Sequence, residues 1–199
     1  FFAPFQGSLD IDSRYFSFDS WDDKRSIPIF SNVFEVVGPS LQGGNPVLDL
    51  ACGIGRLGIS IEERHHCPVF FLDNNNKNIE LIKGQYSLRG NPLPGSRLAV
   101  ADSSEIGSAF PGIKFSIIFA IAFFEEEVIY TGVNQQKTLM SIYHQLVPGG
   151  HFIASGYMPL TINKKILEES GFVVERCSIP KNLFSLDLPK QMYIARKPE

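Results

Sequence analysis

Four carboxylates follow four apolar stretches in this sequence: Asp49 in PVLDLA, Asp73 in PVFFLD, Asp102 in RLAVAD and Glu125 just after KFSIIFAIAFF. A carboxylate can accept from paired hydroxyls or an amino group, balance an ammonium, or take a proton. Between the first two acids lies LDLACGIGRLG, with the spacing Gly53-x-Gly55-x-x-Gly58. That is the dinucleotide-binding pattern, and Asp73 falls twenty residues past Gly53, where such proteins keep an acid for a ribose. A glycine loop between a strand and a helix also brings backbone N–H groups close to a ligand. Asp49, four residues ahead of Gly53, suits an ammonium better than a pyrophosphate. The loop therefore fits NAD or a different adenosine compound, and such glycines also serve packing alone. Asp73 equally suits capping of NNKNIELIK, a role open to Asn74 or Asn75, and Asp102 suits a turn.

These side chains need elements to hold them. From Pro46 onward the chain alternates PVLDLA, RLGISIEERHH, PVFFLD, NNKNIELIKGQYSL, RLAVAD, KFSIIFAIAFF, NQQKTLMSIYHQL, HFIASGY, TINKKILEES, GFVVERCSI and KQMYIARK. Short apolar runs read as strands and 3.6-residue periods as helices, with Pro148-Gly149-Gly150 as a stop and Thr161 as a helix cap. The expected fold is α/β: a doubly wound, mainly parallel seven-stranded sheet in three layers. The ten residues PKNLFSLDLP are too short for a parallel crossover, so the last pair is expected to be antiparallel. In such sheets ligands sit beyond the carboxyl ends of the strands, near the switch point. The four acids should converge on that rim.

The 199 residues suit one domain, with residues 1–45 as an N-terminal lid or helical segment and 46–199 as the core. Net charge is −3 without a basic run, which argues against a nucleic-acid partner. The longest apolar run, Phe115 to Phe124, fits a buried strand and not a membrane span. The opening FFAPFQGSLD lacks a basic n-region and a cleavage site, so no signal peptide is expected, and without a starting Met a few residues should precede it. Three cysteines make no disulfide framework, so a reducing cytoplasm is the default. His65, His66 and Cys67 are adjacent at a helix end, which suits the helix dipole better than a metal, and none is expected. No Gly-x-Ser-x-Gly elbow supports a hydrolase triad.

Taken together, VLDLACGIG, FFLDNNNKNIE, LAVADSSEIG, FSIIFAIAFFEE and YHQLVPGGHFIASG resemble the successive motifs of class I S-adenosylmethionine-dependent methyltransferases, over about Val47 to Ile153. Two departures stand out: Ala51 replaces the first glycine of the usual acid-x-Gly-x-Gly-x-Gly, and Ser116 stands where the family often has Asp. The resemblance implies S-adenosylmethionine as cofactor and methyl transfer as reaction. It puts the amino-acid tail against Asp49, Ala51, Cys52, Gly53 and Gly55, the ribose at Asp73 and Asn74, and the adenine at Asp102 and Ser103, with Ala120 on the fourth strand nearby. The N-terminal segment would cover the cofactor, with Arg14 pairing with the methionine carboxylate and Tyr15 or Trp21 closing over the methyl. Trp21, Phe123 and Tyr157 would line the acceptor, and Glu125 or Glu126 would orient it or act as base. The lack of a basic patch and of an Asn-Pro-Pro-aromatic run after the fourth strand favours a small-molecule acceptor, with an oxygen, nitrogen or carbon nucleophile. Three other readings share the loop: an NAD(P)-dependent oxidoreductase; a non-catalytic methyltransferase-like protein that binds the cofactor or serves as a partner-binding scaffold; and the related aminopropyl transfer, which needs an acidic polyamine pocket such as the Glu125 to Glu127 run could supply. A surface loop at Trp21 and a solvated acidic helix start at FFEEE are the plainer alternatives there.

Overall fold

The computed structural model describes residues 44–125, 134–156, 159–178 and 191–199, with Gly38 and Leu41 before them. Strands β1 (Val47–Leu50), β2 (Val69–Asp73), β3 (Leu98–Val100), β4 (Phe115–Ile121), β5 (Leu146–Gly156), β6 (Val173–Ser178) and β7 (Gln191–Arg196) form one sheet in the order β3-β2-β1-β4-β5-β7-β6. The first five are parallel, and β7 runs antiparallel to both β5 and β6. Chain order reverses between β1 and β4, so the topological switch point lies directly beyond β1.

Helices α1 (Arg56–His65), α2 (Asn76–Leu88), α3 (Ile106–Ala109), α4 (Gln135–Gln145) and α5 (Lys164–Glu169) cover the sheet. Side chains alternate across a strand, so each strand feeds two cores. Leu48, Leu50, Phe70, Leu72, Phe115, Ile118 and Phe152 pack on one face with residues of α3, α4 and α5. Val47, Phe71, Ile117, Phe119 and Ile153 pack on the other with Ile59, Ile61, Ile79 and Ile82 of α1 and α2. This is the expected three-layer sheet. Edge-to-face contacts among Phe70, Phe110 and Phe115, with centroids 5.3 to 5.9 Å apart, fill the first core.

Several boundaries differ from the sequence reading. Pro148-Gly149-Gly150 does not separate helix from strand: β5 begins at Leu146 and runs through it, with its pairing to β4 irregular between Phe115 and Ile117. Thr161 does not cap α5; Asn163 does, accepting from Ile166 N at 3.0 Å. Thr161 instead donates from both N and Oγ1 to the Phe124 carbonyl, at 2.8 and 3.0 Å. The sequence reading assigned no helix to α3 or to the 3-10 turns Gly95–Arg97 and Ser103–Glu105. Among the described residues no helix is long and apolar enough to cross a membrane.

Candidate active site

Period-two alternation places Asp49 opposite Leu48 and Leu50, on the face that carries α1 and α2. Asp49 is buried, and its Oδ2 accepts from Gly58 N at 2.9 Å. Burial, with the Asp73 charge as a smaller contribution, pushes its carboxyl up to about 7, against the opposing pull of the Gly58 N–H. Asp73, on the same face as Phe71, takes Gly53 N on Oδ2 at 2.8 Å, and Asn75 N and Asn78 Nδ2 on Oδ1 at 2.8 and 3.1 Å. Two carboxylates thus grip the glycine loop from below, one at each end.

The loop's backbone is unusual. Ala51, Gly53 and Gly55 have φ of 53°, 52° and 77°, three left-handed residues within five. Glycine adopts this region freely, whereas Ala51 stores strain of about 1–2 kcal/mol. Gly55 and Gly58 are glycines for lack of room. A Cβ on Gly55 would meet Ile82 at 2.8 Å, and one on Gly58 would meet Phe71 at 2.4 Å. Gly53 is different, since a Cβ there meets nothing within 4 Å, so the loop's tip borders open space.

This arrangement discriminates between ligands. A pyrophosphate seeks unengaged N–H groups at a helix start. Here Gly58 N and Gly53 N are already committed to carboxylates, Gly55 N donates to the Cys52 carbonyl at 2.8 Å, and Cys52 N donates to Leu72 O at 3.1 Å. With these four N–H groups engaged and two acids beside them, the loop suits a cationic group better than a pyrophosphate.

The other sequence candidates divide. Asp102 is exposed, caps the Ser103–Glu105 turn by accepting from Ser104 N at 2.8 Å, and is held below the usual carboxylate range by hydrogen bonds from Ser104. Ser103 turns inward, and its Oγ lies 3.0 Å from Thr138 Oγ1 of α4; only its backbone is left to face a ligand. Ala120 and Phe123 are buried in the first core. Asn74 is exposed just past β2, and Asn75 caps α2 by accepting from Lys77 N. Cys52 has its thiol pushed far up by burial and by the Asp49 and Asp73 charges, which disfavours the thiolate. Glu125 pairs as an isolated antiparallel bridge with Leu160, and its side chain lies where a Cβ on Gly156 would stand, 2.8 Å from Oε1. Arg14, Tyr15, Trp21, Glu126 and Tyr157 lie outside the described residues. His66 ends α1 in a left-handed cap, its N–H donating to Glu62 O, and among the described residues no three metal-ligating side chains cluster.

Sequence reasoning missed Asn78 and Gln85, which with Ile82 stand on the loop-facing side of α2. Asn78 reaches Asp73, Ile82 abuts Gly55, and Gln85 Nε2 donates to the Ile54 carbonyl at 2.9 Å. Their 78, 82, 85 spacing was a usable signal, because a helical face repeats at i, i+4 and i+7.

An acid-gripped glycine loop at the switch point of a sheet ending in an antiparallel hairpin defines a class I S-adenosylmethionine-dependent methyltransferase. The methyltransferase domain family model matches residues 41–190, and the chain belongs to that family of enzymes. Solved structures share the fold. An S-adenosylmethionine-dependent methyltransferase from Clostridium acetobutylicum ATCC 824 superposes with TM-score 0.63 at 13% identity, over 85% of this chain and 90% of its own. Magnesium protoporphyrin IX methyltransferase from Synechocystis PCC 6803, with bound cofactor, gives 0.61 at 17% identity over 86% and 79%. The [4+2]-cyclase SpnF gives 0.64 at 13% identity over 84% and 80%. No curated protein matches the chain.

Proposed function

We propose that this enzyme transfers the methyl group of S-adenosylmethionine to an oxygen, nitrogen or carbon of a small molecule. The observation that carries the cofactor assignment is the pair Asp49 and Asp73 gripping the glycine loop, since it leaves an electronegative cradle for the ammonium of the amino-acid tail. Asp73 keeps accepting capacity for ribose hydroxyls, because a carboxylate has about four lone-pair sites and three are used. Asp102 and the backbone of Ser103 stand after the adjacent strand, suited to the adenine. Arg14 and Tyr15 are proposed to complete the cofactor site, and Trp21, Phe123 and Tyr157 the acceptor site. An intracellular, cytoplasmic setting and the lack of a nucleic-acid partner remain part of this reading, on charge and cysteine content.

When bound, the cofactor supplies an electrophilic sulfonium methyl. The chain's own residues then hold the acceptor in line with it and, for a protonated nucleophile, take up the proton. Glu125 stands beyond β4, next to β1 in the sheet, and is the proposed orienting group or base, with Glu126 its neighbour. Titration calorimetry tests the cofactor site: S-adenosylmethionine and its demethylated product should bind and NAD should not. Binding of NAD alone would overturn the assignment. Once an acceptor is found, Glu125→Gln should lower kcat about 10²-fold or more while leaving cofactor affinity within about twofold.

A further inference from the structure

The glycine loop is held on three sides, and only two of the holding groups are the acids of the motif. The third is Gln85, in the last turn and a half of α2, thirty-one residues along the chain from the carbonyl it binds. Its Nε2 donates to Ile54 O at 2.9 Å, and Ile54 is the residue between the two left-handed glycines. The amide oxygen Oε1 is buried and has no hydrogen-bond partner among the described residues. A buried acceptor left unsatisfied is costly. A side chain that only filled space there would be better made of carbon. The amide is therefore tied to what its N–H end does.

Neighbouring contacts agree. One turn back along the same face of α2, Ile82 occupies the space a Cβ on Gly55 would need, and two turns back Asn78 donates to Asp73 Oδ1 at 3.1 Å. Gly53 N in turn donates to Asp73 Oδ2 at 2.8 Å. One helical face thus fixes the peptides on both sides of the loop's tip. Turning the Ile54 carbonyl toward α2 also turns the Ile54–Gly55 peptide N–H the opposite way, because the two groups of a trans peptide point apart.

We infer that Gln85 is a positioning residue for the cofactor's amino-acid tail: by holding the Ile54 carbonyl against α2, it keeps the glycine loop in the shape that receives the tail. This rests on the assignment of S-adenosylmethionine to the loop. Gln85 touches neither cofactor nor acceptor in this role, and it acts through Ile54.

The test uses the full-length enzyme, Gln85→Leu and Gln85→Glu, and two probes. One is S-adenosylmethionine. The other is 5′-methylthioadenosine, which has the nucleoside and sulfur but no amino-acid tail. Gln85→Leu should weaken S-adenosylmethionine roughly 3- to 10-fold, the loss of one neutral hydrogen bond, while the affinity for the tail-less probe stays within twofold. Gln85→Glu supplies a readout that general destabilisation would not move. At pH 8 its carboxylate faces the Ile54 carbonyl, acceptor against acceptor, and binding should be weaker than in the leucine variant. As the pH falls toward 5 the carboxyl protonates and regains a donor, so the ratio of variant to wild-type affinity should climb back toward one. Taking the ratio at each pH removes the titration of Asp49, which both proteins share. Equal loss for both probes, or a ratio flat with pH, overturns the inference while leaving the cofactor assignment standing. Failure of the wild-type enzyme to bind S-adenosylmethionine overturns both. Should Gln85→Leu prove unfolded by circular dichroism, the glutamate pH series decides alone.

Discussion

Asp49 is the residue whose protonation most directly reports on the site. Burial raises its carboxyl to about 7, well above the ordinary aspartate value of about 4. Between those values the folded state binds more protons than the unfolded one, so this group's contribution to stability falls as pH rises from about 4 to about 7. The burial penalty is absent below the unfolded value and fully felt above the folded one. Asn at this position keeps an acceptor for Gly58 N and removes the charge. Asp49→Asn should therefore be more stable than wild type at pH 8, with the gap closing as pH falls toward 4, as read by urea unfolding. Binding should show the opposite preference. If Asp49 faces the cofactor's ammonium, S-adenosylmethionine affinity should rise by up to about tenfold per unit as pH climbs toward 7 and then level off. In Asp49→Asn that slope should vanish, which isothermal titration across pH 5.5 to 8.5 would read. A slope that survives the substitution would assign the proton elsewhere.

At the scale of elements, the turn from β1 into α1 carries two opposed substitutions. Ala51 sits at φ 53°, where glycine would be unstrained. Glycine forfeits about 0.5–1 kcal/mol of chain entropy, less than the 1–2 kcal/mol penalty it lifts. Ala51→Gly should thus stabilise by about 0.5–1 kcal/mol, raising Tm by roughly 1–4 °C in a chain of this size. Gly58 is the reverse case. Alanine is the better helix former by about 1 kcal/mol, but its Cβ would stand 2.4 Å from Phe71 and 2.9 Å from Val69, both buried. Overpacking costs about 1–3 kcal/mol, so Gly58→Ala should lower Tm and push α1 off β2. The sequence already carried this distinction in part. The alternation of strands and helices and the antiparallel ending were legible because burial on both faces leaves apolar runs, and Asp49 and Asp73 meet at the glycine loop because neighbouring parallel strands share a rim. What stayed hidden depended on distant partners. Thr161 looked like a helix cap until Phe124 O was beside it. That the Ser103 hydroxyl would meet Thr138 of α4 had no local signal in the sequence. Gln85 had no local signature other than its face on α2.

At the scale of the whole molecule, the chain carries a net charge of −3 and its sequence has no basic tract to follow a phosphate backbone. Its related structures range from methyltransferases to a [4+2]-cyclase, so the fold alone does not define the acceptor. A small acceptor is the reading to test at this scale. Tritiated S-adenosylmethionine incubated with the enzyme and a cell extract should place label in low-mass compounds that pass a 3 kDa membrane, with RNA and protein fractions at background. Label retained in RNA would overturn the small-molecule assignment and redirect attention to surfaces outside the rim.

The contrast between Gly53 and its neighbours has a use in engineering. Gly55 and Gly58 are closed to change by packing, but Gly53 faces space and resists a side chain only through its φ of 52°. Asparagine tolerates that region better than most residues. Gly53→Asn would therefore put a short polar side chain into the open space beside the loop, on the side proposed for the cofactor, while leaving the scaffold's packing untouched. If the cofactor's tail lies there, as proposed, a donor analogue trimmed at the matching point should fit the variant better than the natural donor does, the starting point for an enzyme that marks its products alone.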